Sequence, residues 1–251
     1  MKVPYDKFTV EWDSKFQDLL FVAVSGAHSY GWARDDSDLD VRFVWMPDLT
    51  QALSVIHRGR TRQFTQKGVD YAFYPVHEFL RLLVKGNGNC LENLFQKKLY
   101  QNEELVQQVQ QVTIDNLHVA FLKHYLGYST SLLKDMENET RLKRYGIEKL
   151  LLCSYRVLQA GLILAREKKV VYTLQEQVWH DFHNNSVELL GFYLVNEKPS
   201  KQLLSDAKDD IAKLRSELEK EIETCTWLKM FPSVVYDQLL VDYYKGVGGE
   251  G

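Results

Sequence analysis

Apolar and polar positions change their period along this chain. Up to about residue 80 the apolar side chains gather in short runs, and beyond residue 90 they recur every three or four positions. Leu19 to Val24 is an unbroken apolar run of strand length that leads into small residues at Ser25, Gly26 and Ala27, as expected of a buried strand over 19–25. Leu39, Val41 and Phe43 alternate with Asp38, Asp40 and Arg42, which predicts a half-buried strand over 38–46. Val69 to Tyr74 is rich in aromatic and branched residues, follows Gly68 and is closed by Pro75. It reads as a strand over 69–74, with another expected over 60–65. A helix over 8–18 is expected to cover this sheet. Helices are also expected over 49–56, after Pro47 and Asp48 stop the second strand, and over 77–85, before the Gly86–Asn89 break.

From residue 91 the pattern predicts helices over 91–97, 102–137, 141–168, 174–194, 200–223 and 232–245. The second span is too long for one helix, and a break is expected near 113–116. Asn89 reads as an N-cap with Glu92 closing a capping box, and Ser200 as a further N-cap. Gly246 to Gly251 reads as a flexible tail. The expected organisation is α+β, with a small mixed sheet in residues 1–100 and an all-helical domain in residues 101–251.

Side chains two apart on a strand project to one face. Asp38 and Asp40 would thus set two carboxylates side by side, which repel unless a cation lies between them. Hard oxygen ligands suit Mg²⁺ or Mn²⁺. Arg42 shares that face and would either contact phosphate oxygens or neutralise the acidic pair. The preceding turn, Ser25-Gly26-Ala27, offers backbone N–H groups that can hold a phosphate. Asp70, on its own predicted strand, is a candidate third carboxylate. Glu78 and Glu92 are rivals, but both fall on predicted helices.

Gly26-Ala27-His28-Ser29-Tyr30-Gly31, followed by Ser37-Asp38-Leu39-Asp40, resembles the signature of the polymerase-β-type nucleotidyltransferase superfamily. More narrowly it is similar to the bacterial and phage group that includes the RNA-repair-pathway polymerase-β-like (RlaP) proteins. In that group a Gly-Ser-x-x-Tyr-Gly turn precedes Ser-Asp-x-Asp, a third Asp follows on a later strand, and a helical region comes after. The resemblance implies that Asp38 and Asp40 are a metal-binding pair, joined by Asp70 through spacing and context. It also implies a nucleotide-binding turn made of Ser25, Gly26, Ala27, His28, Ser29 and Tyr30, with His28 supporting the loop. Ala27 departs from the superfamily, which carries Ser there with its hydroxyl on the phosphates. The backbone N–H survives that change, and Ser25 and Ser29 supply hydroxyls nearby.

In two-domain members of the superfamily a helical domain lends a cation to the triphosphate. Lys149 and Arg156, two turns apart in the helix expected over 141–168, are the candidates, following a basic strip at Arg141, Lys143 and Arg144. The implied activity is transfer of a nucleoside monophosphate from an NTP to an acceptor hydroxyl, with release of pyrophosphate. Mg²⁺ or Mn²⁺ is the implied cofactor, and an RNA end (tRNA or another RNA) is the favoured acceptor. Two other classes stay open. One is a nucleotide- or RNA-binding protein that kept the fold and lost the chemistry, to which Ala27 points. The other is a metal-dependent nuclease.

Composition narrows the classes little. A net charge of −3 gives no overall attraction to nucleic acid, so a polynucleotide would need a local basic patch. Arg58, Arg60 and Arg62 alternate and would share one face of an extended segment. That face either grips phosphates or, the favoured reading, belongs to an edge strand whose charges block aggregation. Cys90, Cys153 and Cys225 are far apart with no Cys-x-x-Cys pair, and read as reduced, buried thiols. No apolar run approaches the roughly 20 residues that span a bilayer, and the N-terminus lacks a signal-peptide core. A cytoplasmic protein without membrane partners is expected.

Overall fold

The computed structural model describes residues 2–12, 18–54, 60–173, 184–227 and 229–248. Among the described residues seven strands run β1 (Lys2–Tyr5), β2 (Phe8–Glu11), β3 (Leu19–Ser25), β4 (Leu39–Trp45), β5 (Arg62–Gln66), β6 (Val69–Pro75) and β7 (Lys98–Gln101). Five of them form one mixed sheet in the order β5-β6-β4-β3-β7, in which only β4 and β6 are parallel. The chain falls into two compact units. The first holds Met1–Ser29, Asp36–Leu117 and Met230–Gly251, and the second Tyr30–Asp35 and His118–Lys229.

In the first unit the alternation of β4 sorts its side chains as expected. Leu39, Val41 and Phe43 are fully buried, and join Val22, Val24, Val69, Tyr71 and Phe73 in one apolar layer. The helix expected over 8–18 is not formed. Residues 8–11 make β2, which pairs with β1 around an Asp6-Lys7 turn, and Asp6 takes a positive φ of 51°. Val10 and Trp12 join the apolar layer, so this segment follows the two-residue period rather than the helical one. Residues 13–17 and 55–59, including Arg58, lie outside the described residues. Helix α1 (Gly26–Tyr30) follows β3, and α2 (Leu49–Leu53) starts on an Asp48 cap. Helices α3 (Val76–Val84) and α4 (Gly88–Phe95) line the opposite face of the sheet, where Phe79 meets Phe21 edge-on at 5.3 Å.

The N-cap of α4 is Asn87, whose side chain accepts from the Cys90 amide at 3.0 Å, and not Asn89. Strand β7 is unforeseen. Its four residues follow α4 and extend the sheet beside β3, where tertiary pairing outweighs a weak local pattern. Helix α5 (Glu103–Asp115) closes this stretch, and α11 (Val234–Gly248) joins the same unit through a Tyr236–Thr113 hydroxyl contact and a Tyr244 hydroxyl that donates to the Pro47 carbonyl at 2.7 Å. Gly246 therefore lies within α11 and not in a tail.

The second unit is helical: α6 (Val119–Glu137), α7 (Glu139–Tyr145), α8 (Ile147–Glu167), α9 (Asn184–Leu194) and α10 (Lys201–Thr224). The long predicted span 102–137 breaks into α5 and α6 at residues 116–118, and 141–168 breaks at Gly146, whose φ of 76° only glycine adopts readily. Residues 174–183, the first part of the helix expected over 174–194, lie outside the described residues. Ser200 caps α10 as expected, accepting from the Leu203 amide at 3.1 Å. Asp210 is buried in this unit and accepts from the Tyr155 hydroxyl at 3.1 Å and the Asn185 amide at 2.8 Å. Among the described residues no helix is long and apolar enough to cross a membrane. The three cysteines are free. Cys90 is buried, whereas Cys153 and Cys225 are only half-buried, contrary to the expectation of three buried thiols.

Helices α6, α8 and α10 meet at Gly161. A Cβ built there would lie 2.9 Å from Leu218 Cδ2 and 3.2 Å from Tyr125 Cβ. Gly161→Val should force these helices apart and cost about 1–3 kcal/mol, measured as a lower urea midpoint in the whole chain.

Candidate functional site

The site grows from one row of the sheet. Ser25 on β3 pairs with Asp40 on β4, Asp40 pairs with Asp70 on β6, and Asp70 pairs with Thr65 on β5. Paired residues project to the same face, so four polar side chains lie side by side across four strands. This is the face opposite the apolar layer, because Leu39 and Val41 flank Asp40 and point the other way.

Gly26 lies directly over Asp40. Its φ is +63°, and a Cβ built on it would stand 2.1 Å from Asp40 Oδ2. The glycine thus serves two needs at once: a left-handed backbone, and the absence of any atom where the carboxylate sits. Helix α1 then carries Ala27, His28, Ser29 and Tyr30. The His28 ring sits edge-on to Phe8 at 5.5 Å and Tyr5 at 6.1 Å, packed against the β1–β2 hairpin. His28 Nε2 and Ser29 Oγ are buried with no hydrogen-bond partner among the described residues.

Asp40 Oδ1 accepts from Arg42 Nη2 at 2.8 Å, while Arg42 Nη1 donates to the Val41 and Asp70 carbonyls, each at 3.3 Å. Asp70 Oδ1 accepts from the Thr65 hydroxyl. Asp38 is exposed and precedes β4 instead of lying on it, with its Oδ1 facing Gly68 in the β5–β6 turn. The structure therefore brings Asp40 and Asp70 together in register and sets Asp38 at the head of the strand. A cavity of about 290 Å³ opens over this row, lined by Asp40, Arg42, Gln63, Thr65, Asp70 and Ala72 among others. Carboxylates and a hydroxyl are the donors that a hard divalent cation prefers. Among the described residues, however, no three His, Cys, Asp or Glu side chains converge closely enough to hold one.

Arg42 also acts deeper on this face. Burial pushes the Cys90 thiol up to about 12, and the nearby guanidinium opposes that shift. Burial likewise raises the Tyr74 hydroxyl, while a hydrogen bond with Gln63 works the other way. Sequence reasoning missed Thr65 and Gln63, although their alternation on β5 with Arg62, Phe64 and Gln66 was the available signal. It also missed Lys98, whose ammonium donates to the carbonyls of Asn93, Leu94 and Gln96 at the end of α4. Burial pushes that ammonium down to about 7, while the three carbonyls favour its charged form.

In the helical unit Arg156 is buried at 3% exposure, with its guanidinium 3.9 Å above the Tyr30 ring. Tyr30 in turn meets the buried Trp32 edge-on. Lys149 is half-buried, two turns before Arg156 on α8. Arg141 and Arg144 are exposed and lie against Tyr145. Glu78 is engaged by Arg81 on its own helix, and Glu92 is buried within α4, so neither rival joins the row.

A small mixed sheet with a glycine turn ending β3, and an acidic residue near the start of each of β4 and β6, is the architecture of a polymerase-β-like nucleotidyltransferase fold, here with a helical region. The chain belongs to RlaP, the RNA repair pathway DNA polymerase beta family, whose profile matches residues 7–229. Among solved structures it is similar to a nucleotidyltransferase-like protein from Exiguobacterium sibiricum 255-15. That likeness has 9% identity and a TM-score of 0.30, over 83% of this chain and 71% of the other. No curated protein matches it.

Gly26→Ala should cost about 1–2 kcal/mol through the left-handed backbone alone and should also displace the Asp40 carboxylate. Chemical unfolding of the variant beside the parent chain measures the loss.

Proposed function

We propose that this chain is a nucleotidyltransferase that moves a nucleoside monophosphate from an NTP to an acceptor hydroxyl, with an RNA end as the favoured acceptor. The observation that carries this reading is the register of Asp40 with Asp70 beneath the Gly26 turn. Family membership adds the expectation of an NTP substrate and a divalent cation.

In this reading the triphosphate lies against the Gly26–Ser29 turn, where backbone N–H groups and the Ser25 hydroxyl meet its oxygens. Ala27 supplies only its amide. His28 holds the turn against the hairpin. Asp40 and Asp70, in register, are the two carboxylates that would hold Mg²⁺ or Mn²⁺ together with triphosphate oxygens, and Asp38 at the head of β4 is the third candidate. When bound, the ion would supply charge neutralisation for the attacking and leaving oxygens. Thr65 keeps the Asp70 carboxylate turned along the row. The acceptor hydroxyl attacks the α-phosphorus in line, the bond to the bridging oxygen breaks, and pyrophosphate leaves. Lys149 is the candidate cation of the helical unit. Arg156 supports Tyr30 rather than meeting phosphate, because its guanidinium is buried over that ring.

A second reading, nucleotide or RNA binding without transfer, draws on the engagement of Asp40 by Arg42 and on Ala27. Incubation with each α-labelled NTP, Mg²⁺ and total RNA separates the two. The transferase reading expects label in RNA and free pyrophosphate, both reduced at least about a hundredfold in Asp40→Asn. Retained transfer in that variant removes the mechanism. Binding of NTP or RNA with no pyrophosphate released by the parent chain favours the second reading.

A further inference from the structure

Asp40 has no idle side. Its Oδ2 lies against Gly26, and its Oδ1 is taken by Arg42. The guanidinium does more than neutralise one carboxylate. Nη2 holds Asp40 on β4, while Nη1 reaches the Asp70 carbonyl on the neighbouring strand. A fixed positive charge therefore bridges the two strands whose carboxylates stand in register. The pair is only partly exposed, at 22% and 29% for the two side chains, so solvent screens it incompletely.

We propose that Arg42 is an internal counter-cation that competes with a divalent metal ion for Asp40. This inference rests on the metal-binding reading of Asp38, Asp40 and Asp70. A cation that took Asp40 Oδ1 would stand within a few ångström of the guanidinium, and two like charges that close repel. The ion must then displace Arg42, or bind more weakly while Arg42 stays. The planar, always-charged fork suits this role because it holds a carboxylate and a carbonyl at once. It also remains a ready partner for triphosphate oxygens once released, so an arriving polyphosphate would draw off the competitor and favour the ion. The opposite role is a positioning one, in which Arg42 orients Asp40 for the ion and its loss weakens binding. The two roles predict opposite signs.

The test measures Mn²⁺ binding to the whole chain without nucleotide, by calorimetry or by the spin-resonance signal of free Mn²⁺. Arg42→Gln should bind Mn²⁺ about tenfold more tightly than the parent, the lower end of what one neighbouring charge does to a carboxylate's affinity for a proton. The gain should vanish in the Asp40→Asn/Arg42→Gln double variant. Unchanged or weaker binding in Arg42→Gln overturns the proposal. Arg42→Lys is the second variant, should Arg42→Gln melt at a much lower temperature. Its ammonium reaches one partner and not both, so it should show part of the gain, and no gain overturns the proposal equally. Asp40→Asn alone keeps the two ideas apart. If it leaves Mn²⁺ affinity unchanged, the metal reading of the site is what fails. If it abolishes binding while Arg42→Gln does nothing, only the competition fails.

Discussion

The candidate site depends on the register of four strands, and that register is held from the far side of the sheet. Ladder hydrogen bonds keep neighbouring strands about 4.8 Å apart, but they do not choose which residue faces which. The choice is made by Leu39, Val41 and Phe43, which are fully buried against Tyr71, Phe73 and the β1–β2 hairpin. A slip of one residue would turn this set outward and Asp40 with Arg42 inward, exposing three large apolar side chains and burying charge. The apolar layer thus aims the carboxylates. Gly26 completes the arrangement, because the chain leaving β3 can pass over Asp40 only where no Cβ intervenes.

The polar face shows how charge is managed where it is half-buried. Asp40 is matched by a guanidinium, Asp70 by a hydroxyl, and Lys98 by three helix-end carbonyls. Each partner comes from within the sheet or from the helix packed on it. The helical unit applies the same rule to Arg156 and Asp210. The first is stacked on Tyr30, and the second is hydrogen-bonded by Tyr155 and Asn185. A buried cation over an aromatic ring packs and is partly compensated by the same contact.

Much of this was legible in the chain. Strands β3, β4 and β6 carry strong patterns and lie within a residue or so of their expected places, and Ser200 caps α10 as its residue type requires. The failures share one cause. The hairpin at residues 2–11 and strand β7 are four-residue elements, too short to contain a full period of either pattern, so only their neighbours make them strands. Asn87 and Asn89 flank Gly88 and are the same residue type, so the fold alone distinguishes them. The cap went to the one whose backbone stayed extended at the end of the Gly86 turn. Thr65 was overlooked because a hydroxyl on an exposed edge strand acquires meaning only from Asp70 beside it.

By itself the order of residues determined the elements with repeating apolar patterns, the glycine turn and the presence of carboxylates on two strands, because periodicity and backbone demands are local properties. Only the tertiary structure decided that Asp40 and Asp70 are neighbours, that Asp38 stands ahead of the strand, and that Arg42 joins one carboxylate to the backbone of the next strand. Those facts depend on strand pairing between residues some thirty positions apart, and pairing is fixed by the burial of a shared core rather than by any segment alone.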